Sequence, residues 1–188
     1  LYVLNSRISP FLTIYNLSDS SYIQYGNIGN GPGEFIAPSL CEMKDPGKIG
    51  IYSNSMNKLD VFHFKSDTLS LVKTFHFPLW NKQRGIPKAY TRLVQYNDSL
   101  FIGTSFMPKE ISVELMNLKT EKVVDCADFP LKPEEEEYSG PYECKIATGT
   151  NFMVAAYRYI NRLEIYRLSA QKFQLKTIIG EANNQYDL

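Results

Sequence analysis

Ile14-Tyr15-Asn16-Leu17 is echoed three times further along the chain, by Val61-Phe62-His63-Phe64, Leu115-Met116-Asn117-Leu118 and Ile165-Tyr166-Arg167-Leu168. The first residues of the four copies lie 47, 54 and 50 positions apart. Some 12 to 15 residues before each copy stands another apolar strand, at 1–4, 49–52, 100–103 and 152–155. A few residues after each copy comes a further one, at 22–28, 71–77, 122–129 and 174–179. The second, third and fourth units carry one more, at 40–44, 90–96 and 144–148. Labelled a to d from inside to outside, these form four-strand meanders. The b–c and c–d links are short and rich in Asn, Asp, Ser, Lys and Gly, as in Asn54-Ser55, Ser66-Asp67 and Asn97-Asp98. Such links suit hairpins and are too short for a helical crossover.

A self-similar period near fifty residues, built from such meanders, marks a β-propeller in which each meander is a blade. A second register agrees: Gly29 ends the first outer strand and Gly180 ends the fourth, 151 residues later. The chain therefore reads as all-β, one propeller domain over 1–188 with antiparallel four-stranded blades near 1–29, 40–77, 88–129 and 143–181. That amounts to three full blades and three strands of another. Those blades are too few to close a ring of this kind, so the sequence is expected to be part of a longer propeller, or a chain whose ring other copies complete. Apolar surface at 1–4 and on the fourth blade's sheet face would otherwise lie open.

Bulk composition narrows the function classes. A hydrophobic content of 44% with 21% charged residues is globular and excludes a disordered chain. Thirteen tyrosines and eleven phenylalanines suit stacked sheets. Twenty basic and twenty acidic residues balance to zero, which removes the electrostatic case for nucleic acid. No stretch reaches the length of an apolar membrane helix. The three cysteines, Cys41, Cys126 and Cys144, lack CxxC spacing. Cys41 and Cys144 fall on inner strands and Cys126 on an outer one, a poor arrangement for a disulfide, so buried thiols are expected.

Between the first two units runs Gly29-Asn30-Gly31-Pro32-Gly33-Glu34-Phe35-Ile36-Ala37-Pro38. A phosphate loop would need a following helix, which Pro38 interrupts. The structural reading gives Gly31 and Gly33 positive φ, Pro32 a stiffening role, and Phe35 the job of plugging the gap between adjacent blades. This stretch resembles the inter-blade motif of NHL-type and TolB-like six-bladed propellers. The strand pair Lys48-Ile49-Gly50-Ile51-Tyr52 and Lys58-Leu59-Asp60-Val61-Phe62 is similar to the paired strands of those blades. The whole chain resembles uncharacterised propeller lipoproteins of Gram-negative gut bacteria. The resemblance implies a six-bladed ring of roughly 300 residues, of which this chain would be a part, in an extracytoplasmic protein of the periplasm or outer membrane, with a lipid anchor outside this chain, a binding face and no established reaction.

In a propeller the d–a and b–c loops share one face, here 80–89, 129–142, 53–58, 105–109 and 157–162. The acidic run Glu134–Glu137 reads as a solvated loop crest, without the ligand spacing of a calcium loop. Trp80 with Arg84 reads either as a blade cap or as a stacking platform for a sugar or peptide. Tyr90, Arg92, Glu143 and Lys145 open inner strands and could line the channel mouth. Arg158 and Tyr159 lie on a b–c loop in an aromatic-basic cluster suited to carboxylates, phosphates or sugars, and equally to a solvent-facing hairpin. His63 and His76 are too few for a metal site. The sequons at Asn16 and Asn97 read as turn chemistry. No cofactor or metal is expected.

Three functions are open on these residues. The first is a non-enzymatic binding module of the cell envelope that takes a protein, peptide or glycan at Trp80, Arg84, Tyr90, Arg92, Glu143, Lys145, Arg158 and Tyr159. The second is a lyase or hydrolase in the channel mouth, with Glu143, Arg92 and Tyr90 as its polar groups. The third is a structural role in which exposed blade edges drive self-association.

Overall fold

The computed structural model describes residues 1–65, 67–77, 80–81, 86–87, 90–105, 111–128, 143–169 and 172–180. These fall into two compact units, Leu1–Phe77 and Pro78–Leu188. Every described element is a strand, and no helix among the described residues is long and apolar enough to cross a membrane.

In the first unit, β1 (Tyr2–Leu4), β2 (Leu12–Tyr15) and β3 (Tyr22–Tyr25) form the first blade. A short parallel ladder of β4 (Asn27–Ile28) and β5 (Glu34–Phe35) follows. The second blade runs β6 (Pro38–Cys41), β7 (Lys48–Ser53), β8 (Lys58–Lys65) and β9 (Thr68–His76), each antiparallel to the last. The second unit opens with a small ladder, β10 (Trp80–Asn81) on β11 (Ile86–Pro87). The third blade is β12 (Tyr90–Gln95), β13 (Leu100–Ser105), β14 (Ile111–Asn117) and β15 (Lys122–Asp128). The fourth is β16 (Cys144–Thr148), β17 (Phe152–Tyr157), β18 (Arg162–Leu168) and β19 (Phe173–Gly180). These are the blades of a β-propeller, and the four copies of the repeat begin on β2, β8, β14 and β18.

Period-2 alternation fixes which face of each blade is buried. In the first blade Leu4, Leu12 and Tyr25 share one face with Tyr2, Ile14 and Ile23. Leu12 and Ile14 enter one core with Ile49, Ile51 and Phe62 of the second blade. Phe35 is wedged into that core, fully buried, with its ring 5.1 Å from that of Phe11 in an edge-on contact. In the second unit Val113 and Leu115 of the third blade share a core with Cys144, Met153, Ala155 and Tyr166 of the fourth. None of Cys41, Cys126 and Cys144 is in a disulfide, and they lie on β6, β15 and β16 as their spacing suggests.

The turns follow local side-chain chemistry. Asn16, Asn97 and Asn117 each accept backbone N–H bonds two or three residues on, which closes the hairpin at its own Asn. The sequon asparagines are thus turn residues.

Three expectations need correcting. The outer strand at 22–28 is not continuous: Gly26 has φ +80°, and a Cβ there would lie 2.1 Å from the Phe11 ring. The chain turns at that point and Asn27–Ile28 pairs with β5 instead. The inner strand expected at 40–44 begins earlier and ends at Cys41, because a turn closed by Asp45 begins just beyond it, with the Asp45 carboxylate accepting the Gly47 N–H. Of Gly31 and Gly33, only Gly33 has positive φ, +76°. Gly31 serves differently: its N–H donates to Glu34 Oε2 at 2.7 Å, and a Cβ would press on that carboxylate. The loop is folded around its own anion, which occupies the donor a phosphate would use.

Candidate functional site: the loop end of the fourth blade

Glu143 directly precedes β16 and Arg158 directly follows β17. The register that pairs Cys144 with Tyr157 sets these two residues opposite each other, and the Arg158 N–H donates to the Glu143 carbonyl at 2.9 Å. Their side chains meet as well: Arg158 Nη1 donates to Glu143 Oε2 at 3.1 Å. The guanidinium carbon also lies 5.0 Å from the centroid of the Tyr159 ring. Lys145, two residues along the strand from Glu143 and on the same face, is exposed. Half of the eight expected binding residues therefore converge in one exposed cluster. Its arginine is oriented by a carboxylate and an aromatic face, and its side chain is 57% exposed.

The other four are placed differently. Tyr90 is buried on β12, and its hydroxyl donates to the Glu114 carboxylate. Arg92 is exposed on the same strand, but a bulge separates it from Tyr90 and breaks their common facing. Trp80 belongs to the β10–β11 ladder opposite Pro87, rather than to an irregular loop. Arg84 lies outside the described residues, as do Glu134–Glu137 and most of the 80–89, 105–109 and 129–142 loops. His63 and His76 are exposed on β8 and β9. No group of three or more potential metal ligands occurs among the described residues.

Sequence reasoning missed a set of buried acids. Asp60, Glu114 and Glu164 are all nearly inaccessible and hold the same place in their blades, one residue before the apolar repeat copy. Asp60 pairs with Lys58 at 3.0 Å and accepts the Thr74 hydroxyl at 2.6 Å. Glu164 takes Arg162 at 2.7 Å on one oxygen and the hydroxyls of Tyr157 and Tyr166 on the other. Burial and the bond to Glu164 push the Tyr166 hydroxyl above its ordinary range. Burial, helped by the charges of Glu164 and Glu143, pushes the Cys144 thiol up to about 12. These acids hold hairpins together; the carboxylate beside the exposed arginine is Glu143.

Within the first unit, a groove of about 400 Å³ is lined by Tyr2, Tyr15, Asn16, Tyr22 and Asp67, among others. None of the expected binding residues lines it.

No protein-family model and no curated protein matches the chain. Solved structures do. A complex of KlAtg21 with the coiled coil of AgAtg16 aligns over 90% of this chain and 48% of its own, at 13% identity and TM-score 0.55. A putative exported protein from Bacteroides fragilis aligns over 93% and 49%, at 16% identity and TM-score 0.54. The WD40 domain of Toxoplasma gondii coronin aligns over 96% and 45%, at 10% identity and TM-score 0.53. At such identities the likeness is one of fold, and it supports the propeller. The chain spans about half the length of the structures it matches.

Proposed function

We propose that this chain is a non-enzymatic binding module of the cell envelope, carried on a six-bladed propeller of NHL or TolB-like type. The observation that carries the binding reading is the Glu143–Arg158–Tyr159 cluster. A guanidinium held between a carboxylate and a ring, with Lys145 beside it, is preorganised for a partner that offers carboxylates or hydroxyls, such as a peptide, a protein loop or a glycan. A protein partner has a parallel in the coiled coil bound by KlAtg21. The extracytoplasmic location draws on the glycine-loop resemblance and on the likeness to a putative exported protein. A lyase or hydrolase built on Glu143, Arg92 and Tyr90 is a weaker reading, because the Tyr90 hydroxyl is committed to Glu114 inside the blade.

The test is binding of the purified chain to immobilised peptide and glycan libraries, with Arg158→Ala and Tyr159→Ala beside the parent. Loss of the captured ligands in both variants, and retention in Lys65→Ala at the far end of β8, supports the reading. Unchanged capture in the Arg158 and Tyr159 variants, or blank libraries, would sink it.

A further inference from the structure

Asn30-Gly31 is the only Asn-Gly pair in the sequence, and it stands in the glycine loop that the binding reading leaves unused. Asparagine before glycine is open to ring closure, because glycine puts no side chain in the way of its own backbone nitrogen. In that reaction the Gly31 nitrogen gives its proton to solvent base and attacks Asn30 Cγ. The new N–Cγ bond forms as the side-chain nitrogen leaves as ammonia. Water then opens the succinimide at either carbonyl and leaves aspartate or isoaspartate at position 30. Water is the only reactant consumed and ammonia the only group lost.

Asn30 is exposed, so water and base reach its amide. The attacking nitrogen is restrained. Gly31 N–H donates to Glu34 Oε2 at 2.7 Å, and Glu34 N–H returns a bond to the Gly31 carbonyl at 3.0 Å. Gly29 N–H donates to the Phe35 carbonyl at 3.0 Å and closes the loop from outside. Deprotonating Gly31 would set a second negative charge beside the Glu34 carboxylate. Turning its nitrogen toward Asn30 Cγ would also break a charge-assisted hydrogen bond. Ring closure therefore waits for the loop to open.

We propose that Asn30 is a self-modification site whose rate Glu34 sets, and that its product loosens the Phe35 plug. A carboxylate at position 30 adjoins the residue whose N–H Glu34 holds, so the two anions repel. The isoaspartate form also adds a methylene to the backbone between positions 30 and 31, which carries the Gly31 N–H off Glu34. Either product disfavours the closed loop that seats Phe35 in the core with Phe11. Because ammonia is lost, the change runs one way and accumulates with the age of the chain.

The test is peptide mapping by mass spectrometry after incubation in mildly alkaline buffer. Glu34→Ala, Glu34→Gln and the urea-unfolded parent run beside the folded parent, with Asn54 of Asn54-Ser55 as the reference in each digest. The folded parent should modify Asn30 more slowly than its unfolded form. Glu34→Ala should be faster than the folded parent by about tenfold at Asn30, the loss of one charge-assisted hydrogen bond, with Asn54 unchanged. Glu34→Gln, which keeps the acceptor and drops the charge, should fall between them. Asn30→Asp should speed amide exchange across 27–36 relative to the neutral Asn30→Ser. Four results would each overturn the proposal: a folded parent as fast as the unfolded chain, Glu34→Ala no faster than the parent, a rise shared equally by Asn54 in both Glu34 variants, or Asn30→Asp as protected as Asn30→Ser.

Discussion

Glu143 and Glu164 each face an arginine on the same blade, and burial makes them different chemical objects. Arg158 is 57% exposed, so its pairing with Glu143 is screened by water, and Glu143→Ala should change stability by less than about 1 kcal/mol. Arg162 is 8% exposed. Glu164→Ala removes a buried carboxylate shared by Arg162, Tyr157 and Tyr166, at a cost of about 3–5 kcal/mol. Urea unfolding of both variants checks this, and equal costs would refute the distinction. The Cys144 thiol gives a pH test. Its raised value means the folded chain keeps this proton while the unfolded chain, near 9.0, gives it up. The associated stability is present below pH 9 and is lost as pH rises toward 12. Alkylation followed by mass spectrometry should modify Cys126 first at pH 8, with the Cys144 rate still climbing beyond pH 9. At this scale the chain's residue types were legible and their ranking was not. Arg158 and Tyr159 could be named from their loop. Glu164 could not, because its importance depends on strand register bringing Tyr157, Tyr166 and Arg162 to one oxygen pair. The one available hint was an acid directly before three of the four apolar copies.

Elements obeyed the sequence where turn chemistry is local and departed from it where packing intervened. The Asn-closed hairpins fell where Asn16, Asn97 and Asn117 placed them. The outer strand of the first blade broke at Gly26 because the Phe11 ring fills the space a side chain there would need, a tertiary effect invisible in alternation alone. The glycine loop combines both cases. Its role as a blade-to-blade plug was legible from Phe35, whereas the capture of the Gly31 N–H by Glu34 was not. Phe35→Ala should cost about 3–5 kcal/mol, since a fully buried ring is removed from a core it shares with Phe11. Gly33→Ala should cost about 1–2 kcal/mol from its positive φ alone, as nothing lies close enough to clash with a new Cβ. Thermal or urea unfolding distinguishes the two, and a Gly33 penalty as large as that of Phe35 would mean the loop does more than turn the chain.

At the scale of the whole chain, the fifty-residue period is legible in the sequence because each blade repeats the same burial problem. The period carries no information on how far cooperativity extends. Among the described residues, one core gathers around Phe11, Phe35 and Phe62 in Leu1–Phe77 and another around Leu115, Met153 and Tyr166 in Pro78–Leu188. In repeat architectures stability is close to a sum of local and nearest-neighbour terms, so damage to one core need not reach the other. Phe35→Ala should therefore speed amide hydrogen exchange in β2, β7 and β8 while β13, β14, β17 and β18 keep the protection of the parent chain. Exchange read peptide by peptide by mass spectrometry decides the matter. Uniform loss of protection across all four blades would show that the chain unfolds as a single cooperative body.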